Sequence, residues 1–301
     1  MNPEPVLSTD QKACFDEDGT PLRCAGTGQD GELRTGKAWP EPRFSVSGEI
    51  ALDLLTGLSW PIDANPAEFP LSFDEALGFI ATLNNEAFLS FSDWRIPSRA
   101  ELFSLASHAQ TNPCLPSGHP FANVFNGYCW TSSTLARLPD QAFTVHLGGA
   151  RVFPAMKQAS CLVWPVRGPS PAPAPPGAER FVAAGAWVQD MQTGLFWQKE
   201  PPGALRSWKD TLAAARDARP AAPPGRRPRL PNVRELASLV SERDHSPALA
   251  AGHPFANVPP LCWSSTTSLV DPAYAWTAYL RDGRIGVGFK RQREFSAWLC
   301  A

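Results

Sequence analysis

What the chain lacks narrows its possible activities first. No apolar run approaches the ~18 residues needed to cross a bilayer as a helix. The opening Met1-Asn2-Pro3-Glu4-Pro5-Val6 lacks the basic and apolar regions of a secretory signal. Charged residues make up only 19% of the chain and the formal net charge is −2, which argues against nucleic acid as a partner. There are five histidines, and none keeps a metal-ligand spacing with a Cys, Asp, Glu or second His. No Gly-x-Ser-x-Gly frame surrounds Ser132-Ser133 or Ser264-Ser265, so neither is a nucleophile elbow. Gly26-Thr27-Gly28 has no apolar strand before it and no helix pattern after it, so it is not a phosphate loop. Clustered Asp, Asn and Glu of the kind calcium requires are missing too; Leu138-Pro139-Asp140 is the nearest approach. We therefore expect no cofactor, with calcium as the one to test.

What is present is a duplication. Residues 118–124 read Gly-His-Pro-Phe-Ala-Asn-Val, and residues 252–258 repeat all seven letters. The match extends outward. Asp53-x-x-Thr56-Gly57-Leu58-x-Trp60 pairs with Asp190-x-x-Thr193-Gly194-Leu195-x-Trp197. Arg95-Ile96-Pro97 and Glu101-Leu102 pair with Arg229-Leu230-Pro231 and Glu235-Leu236. Cys129-Trp130 pairs with Cys262-Trp263, and Arg151-Val152 with Arg284-Ile285. A unit this long is a domain and not a solenoid repeat. The boundaries that follow are a leader over 1–45, a first domain over 46–168, a linker over 169–178 and a second domain over 179–301. The linker has proline at nearly every second position, as a stiff extended spacer would.

Each copy reads in the same order. A strand comes first, around 50–60 or 186–197, with Thr-Gly marking a turn. A helix follows, opened by Ser72-x-x-Glu75 or Ser207-x-x-Asp210. Phe73, Leu77 and Ile80 form its predicted buried face in copy one; Trp208, Leu212 and Ala215 do so in copy two. A second helix starts at Ser98-x-x-Glu101 or Asn232-x-x-Glu235. Arg95 with Glu101, and Arg229 with Glu235, read as a repeated ion pair tying the Arg-x-Pro triplet to this helix. Strands then complete the unit, ending near Cys161–Val166 and 297–300. Two helices followed by a strand-rich half predict an α+β class with a mainly antiparallel sheet.

The seven cysteines suggest Cys14–Cys24, Cys129–Cys161 and Cys262–Cys300 as disulfides, with Cys114 lacking a counterpart in copy two. The alternative is that most are small buried thiols. His119 and His253, flanked by Gly and Pro, read as turn residues whose imidazoles bond backbone.

Charge is unevenly spread. Residues 1–168 carry 11 basic and 18 acidic side chains, and residues 169–301 carry 16 and 11. Unlike halves attract, or the second half faces an anionic partner. The densest basic region is Arg281, Arg284, Lys290, Arg291 and Arg293, interleaved with Phe289; copy one has only Arg151 and Lys157 there. This edge is the predicted ligand-binding surface, toward a polyanion such as an acidic glycan.

Thr-Gly-Leu-x-Trp, then Arg-x-Pro-x-x-x-Glu-Leu-x-Ser-Leu, then Trp-x-Ser-Ser and a closing strand, resembles the Lcl C-terminal domain family. The match spans both copies. The leader, with Cys14-Phe15-Asp16 and Cys24-Ala25-Gly26-Thr27-Gly28, resembles the segment that precedes such domains in exported proteins. The resemblance implies two tandem C-type-lectin-like domains, related in fold to the formylglycine-generating-enzyme group. It also implies a secreted, periplasmic or cell-surface location and an adhesive role toward a glycan, a matrix polyanion or a surface protein. On that basis the chain is expected to be a non-enzymatic recognition module. A structural component of a surface assembly and a formylglycine-generating-type oxidase are the alternatives.

Overall fold

The computed structural model describes residues 3–169, 175–218 and 222–301. The core of the expected linker, 170–174, lies outside the described residues, as does 219–221 in the second Pro/Arg stretch. The chain divides into two compact units, Trp39–Ala172 and Met1–Ala38 with Pro173–Ala301. The leader thus belongs with the second copy, although the first copy follows it directly in sequence.

In the leader, β1 (Cys14–Phe15) and β2 (Pro21–Leu22) pair as an antiparallel hairpin, followed by a short helix α1 (Asp30–Leu33). The Cys14–Cys24 disulfide closes the hairpin, as the sequence predicted.

The first copy opens with β3 (Phe44–Ser47), β4 (Ile50–Asp53) and β5 (Ser59–Pro61), an antiparallel three-stranded sheet. Residues 39–45, expected in the leader, belong here because Phe44 and Ser45 pair with Asp53 and Leu52. Helix α2 (Phe73–Asn85) starts at the predicted capping box, in which Ser72 and Glu75 satisfy each other's backbone N–H groups. Helix α3 (Arg99–Leu105) starts the same way at Ser98 and Glu101. An antiparallel meander follows: β6 (Tyr128–Thr134), β7 (Gln141–His146) and β8 (Val152–Met156). Phe73, Ile80, Leu83, Trp94, Ile96, Trp130 and Val163 fill the core between helix and sheet. One expectation fails here. Leu77 is 49% exposed, and Ala76 takes the buried place instead.

The second copy repeats this plan. A short helix α4 (Gly177–Arg180) leads into β9 (Phe181–Ala184), β10 (Trp187–Asp190) and β11 (Phe196–Gln198). After β12 (Leu205–Arg206) come α5 (Trp208–Arg216), capped by Ser207, and α6 (Val233–Leu239), with a full capping box at Asn232 and Glu235. Then β13 (Leu261–Thr267), β14 (Tyr274–Tyr279) and β15 (Arg284–Phe289) form the meander, and β16 (Phe295–Ser296) runs parallel beside β13. Both meanders slip register at the same place, between Trp130 and Thr134 and between Trp263 and Thr267. Among the described residues the class is α+β with six α-helices and mainly antiparallel sheets.

The two inter-strand disulfides predicted for the copies do not form. Cys129, Cys161, Cys262 and Cys300 are separate buried thiols. Cys161 lies in the core beside Trp130, whereas Cys129 precedes Trp130 in β6 and so points to the opposite face. Cys262 pairs with Ser296, four residues before Cys300, roughly 13 Å along an extended chain. Cys300 instead bridges to Arg229 and Trp197. Cys114, also buried, lies with its Sγ 3.6 Å from the His146 carbonyl oxygen.

Candidate functional site

Most of the polar residues that recur in both copies hold the scaffold together. Asp53, at the start of the Thr-Gly turn, accepts from the Leu55 N–H and the Thr56 hydroxyl, and takes Arg43 in a bidentate pair at 3.2 and 2.9 Å. Asp190 does the same for Gln192, Thr193 and Arg180, at 3.0 and 2.7 Å from the guanidinium. Both arginines also donate to the end of the second helix, at the Ser104 and Ser238 carbonyls. Sequence reading missed this pair, because Arg43 and Arg180 lie outside the blocks matched between the two copies. The predicted Arg95–Glu101 and Arg229–Glu235 pairs do form, both bidentate.

The repeated heptapeptide is also built inward. Phe121 packs edge-on against Trp164 and Phe44; Phe255 packs the same way against Trp298 and Phe181. His119 Nδ1 accepts from the Phe121 backbone N–H at 3.2 Å, the turn role expected of it. Burial depresses the His119 pKa. Asn123 and Asn257 sit at positive φ, and their amides reach Asp63 and Glu200.

The structure splits the six predicted ligand residues: Arg281 and Arg284 lie at the β14–β15 turn, whereas Phe289, Lys290, Arg291 and Arg293 lie at the other end of β15, roughly 17 Å along the strand, and the leader meets Lys290 and Arg291 there. Lys290 is fully buried. Its ammonium lies 4.1 Å from the Trp208 ring centroid and donates to the Asp16 carbonyl at 2.9 Å and more weakly to that of Phe15 at 3.5 Å. Burial brings its pKa down to about 7. Arg291 pairs with Asp18 and lies 3.7 Å from Glu17, which also takes Lys209 at 3.4 Å. Arg284 pairs with Asp282 and lies over the Tyr279 ring; Phe289 packs against Tyr274. Arg293 is mostly exposed and lies 3.5 Å from Asp210, and Arg281 is exposed. Gly19 turns the hairpin tip at φ +85°, where an added Cβ would stand 2.9 Å from the Ala273 backbone nitrogen. The counterpart of Lys290 and Arg291 is therefore, in this chain, the leader's own Asp16-Glu17-Asp18 loop, while Arg284 and Arg293 face Asp282 and Asp210.

Deeper contacts complete that docking. Gln11 makes two hydrogen bonds to the Thr267 backbone, at 2.8 and 2.9 Å. Asp30 accepts from the Thr9 and Thr266 hydroxyls at 2.6 and 2.7 Å, and burial pushes its pKa up to about 6. Thr35 bridges Asn232 and Glu235.

A second feature of this unit was not visible in the sequence. An open groove of about 980 Å³ lies beside β11, lined by Gln198, Lys199, Glu200, Pro201, Pro202, Asn257 and the Gly185 turn. Gln198 is 5% exposed; its Oε1 accepts from the Leu299 N–H, and among the described residues its Nε2 has no partner. The Lys199 amine likewise has no ion pair among the described residues. The copies differ here: Pro61, Ile62 and Ala64 of copy one stand where copy two has Gln198, Lys199 and Pro201.

Burial pushes the Cys129 thiol up to about 12 and Cys161 up to about 11, and raises Cys262 and Cys300 as well. Such thiols are protonated at neutral pH and are poor nucleophiles. Ser133 Oγ and Thr266 Oγ1 each accept from the first N–H of the second helix of their copy, Arg99 and Val233, which is structural work. Among the described residues no three His, Cys, Asp or Glu side chains converge as a metal site. No described helix is long and apolar enough to cross a membrane.

No curated protein matches the chain. A family model does: that of the Lcl C-terminal domain matches residues 49–167 and again 186–301, and the chain belongs to this family as two tandem copies.

Proposed function

We propose that the chain is a non-enzymatic recognition module working outside the cytoplasm, built from two C-type-lectin-like domains, with the groove of the second copy as its ligand site. The observation that carries this reading is the divergence at that groove. The repeated polar residues hold the scaffold in both copies, and copy two alone places Lys199 and Gln198 where copy one has isoleucine and proline. A cation, the Gln198 amide and two flat prolines, with the Glu200 carboxylate held by Asn257, suit a saccharide bearing an acidic group beside its hydroxyls better than an apolar ligand. The disulfide in the leader supports an oxidising compartment. The raised thiols favour recognition over an oxidase chemistry that needs a reactive cysteine. No cofactor is invoked, and calcium is tested by chelation alongside. Of the predicted basic residues, Arg281 and Arg284 stand apart at the β14–β15 turn, and Lys290 and Arg291 serve a polyanion only after the leader has moved.

The test is an array of acidic and neutral glycans probed with the intact chain and with Lys199→Ala. Binding to acidic glycans that falls at least tenfold in Lys199→Ala supports the groove. Retention on heparin that survives Lys199→Ala and is lost in Arg281→Ala/Arg293→Ala moves the site to the basic edge. An array without a single acidic ligand contradicts both.

A further inference from the structure

The leader seated on copy two shows what that face of the domain accepts. Copy one carries the same face without such a segment. Lys157 is the counterpart of Lys290: each accepts at its carbonyl the N–H of the first helical residue, Phe73 or Trp208, at 2.9 Å. Each also holds its ammonium over that residue's ring, at 5.0 Å for Lys157 and 4.1 Å for Lys290. Lys290 donates to the leader carbonyls of Phe15 and Asp16. Among the described residues the Lys157 amine has no hydrogen-bond or ion-pair partner. Leu212 is 6% exposed and has Gly28 of the leader against it, whereas its counterpart Leu77 is 49% exposed. Ser265 and Thr267 are buried, while their counterparts Ser132 and Thr134 are exposed and half-buried.

We propose that this face of copy one, around Phe73, Leu77, Ser132, Thr134 and Lys157, is a docking site for a turn-forming polypeptide segment of a partner protein, bound as residues 9–30 of the leader are bound to copy two. Its specificity differs in one respect. Lys209 and Arg291, which take the acidic tip of the leader, are replaced by Asp74 and Gln158. Asp74 is exposed and repels an acidic tip. The occupant therefore has a neutral or basic turn, two backbone carbonyls for Lys157 and an apolar or glycine-bearing stretch for Leu77. The proposal does not depend on the groove of copy two.

The experiment uses the full chain with its own leader in place. Two disulfide-closed peptides of residues 8–33 serve as probes, one native and one with Glu17→Lys and Asp18→Lys, followed by calorimetry. The basic-tip peptide is expected to bind one equivalent, at least tenfold tighter than the native peptide. Leu77→Asp, at an exposed position, is expected to leave the melting temperature unchanged and weaken binding at least tenfold. Asp74→Lys is expected to reverse the preference between the two peptides. Absence of binding by both peptides at millimolar concentration overturns the proposal. So does binding that ignores Leu77→Asp, which would place the peptide on copy two. A chain that dimerises in sedimentation and becomes monomeric in Leu77→Asp overturns it in favour of a second copy as occupant.

Discussion

The two copies agree where they are buried and differ where one of them is covered. Each has the Arg–Asp pair under the Thr-Gly turn, the Arg–Glu pair on the second helix, and the heptapeptide phenylalanine against a tryptophan pair. Around copy two the leader then adds Asp30, Gln11 and the acidic hairpin, and the receiving residues have changed accordingly: Asp74 to Lys209, Gln158 to Arg291, Ser133 to Thr266. Duplication conserves what holds the fold together. A binding surface is free to change as soon as only one copy has a partner for it.

The largest effect that probes this comparison comes from the shared scaffold. Asp53→Ala and Asp190→Ala each strand a buried arginine, and each is expected to cost about 3–5 kcal/mol. Urea unfolding of the two variants checks whether the losses match; a loss in one copy only would mean the pairs are not equivalent. Next comes the disulfide. Cys14→Ser/Cys24→Ser is expected to destabilise the unit of residues 1–38 and 173–301 by about 2–3 kcal/mol, from the freed loop, and to leave the first copy's transition in place. Calorimetry resolving the two units decides this.

The pH dependence ranks third. The pKa of Asp30 is raised to about 6 in the folded protein, so folding binds its proton more tightly than the unfolded chain does. Its contribution is fully present below about pH 4 and lost as pH rises through about 6. Lys290 runs oppositely: its pKa is lowered to about 7, so its contribution is fully present above its ordinary value near 10.5 and is lost as pH falls through about 7. Leader docking is therefore weakest between about pH 6 and 7. Protection factors of the amides of residues 9–33, each exchange rate being taken relative to the intrinsic rate at the same pH, are expected to be lowest in that window across pH 4–9, and Asp30→Asn to remove the acidic limb. The smallest effect is the contrast between helix positions. Leu212→Ala is expected to cost about 2 kcal/mol or more, and Leu77→Ala less than about 0.5 kcal/mol.

Much of this was legible in residue spacing. The heptapeptide and its flanks gave the duplication, and Ser or Asn three residues before Glu gave the helix starts. The Arg95–Glu101 and Arg229–Glu235 pairs were legible because both partners sit within one local motif. Cys14–Cys24 was read correctly, but the two pairs within the copies were not, because spacing does not say which face of a strand a thiol points to; Cys129 and Cys161 fall on opposite faces. Leu77 fitted a helical period as well as Ala76 did, and only the packing separates them. The destination of the leader was hidden for a stronger reason. Asp30, Gln11 and Asp16 meet Thr266, Thr267 and Lys290 some 250 residues away, and no local pattern encodes such a contact. Its one trace is charge, the acidic Asp16-Glu17-Asp18 against the basic cluster near residue 290.

The most direct test is amine footprinting of the intact protein by mass spectrometry, comparing Lys157 with Lys290. If the leader covers copy two and leaves copy one open, Lys157 acetylates readily, Lys290 is protected at least tenfold, and cleaving the Cys14–Cys24 bond raises labelling at Lys290 alone. Equal labelling of the two lysines in the oxidised protein would contradict the account.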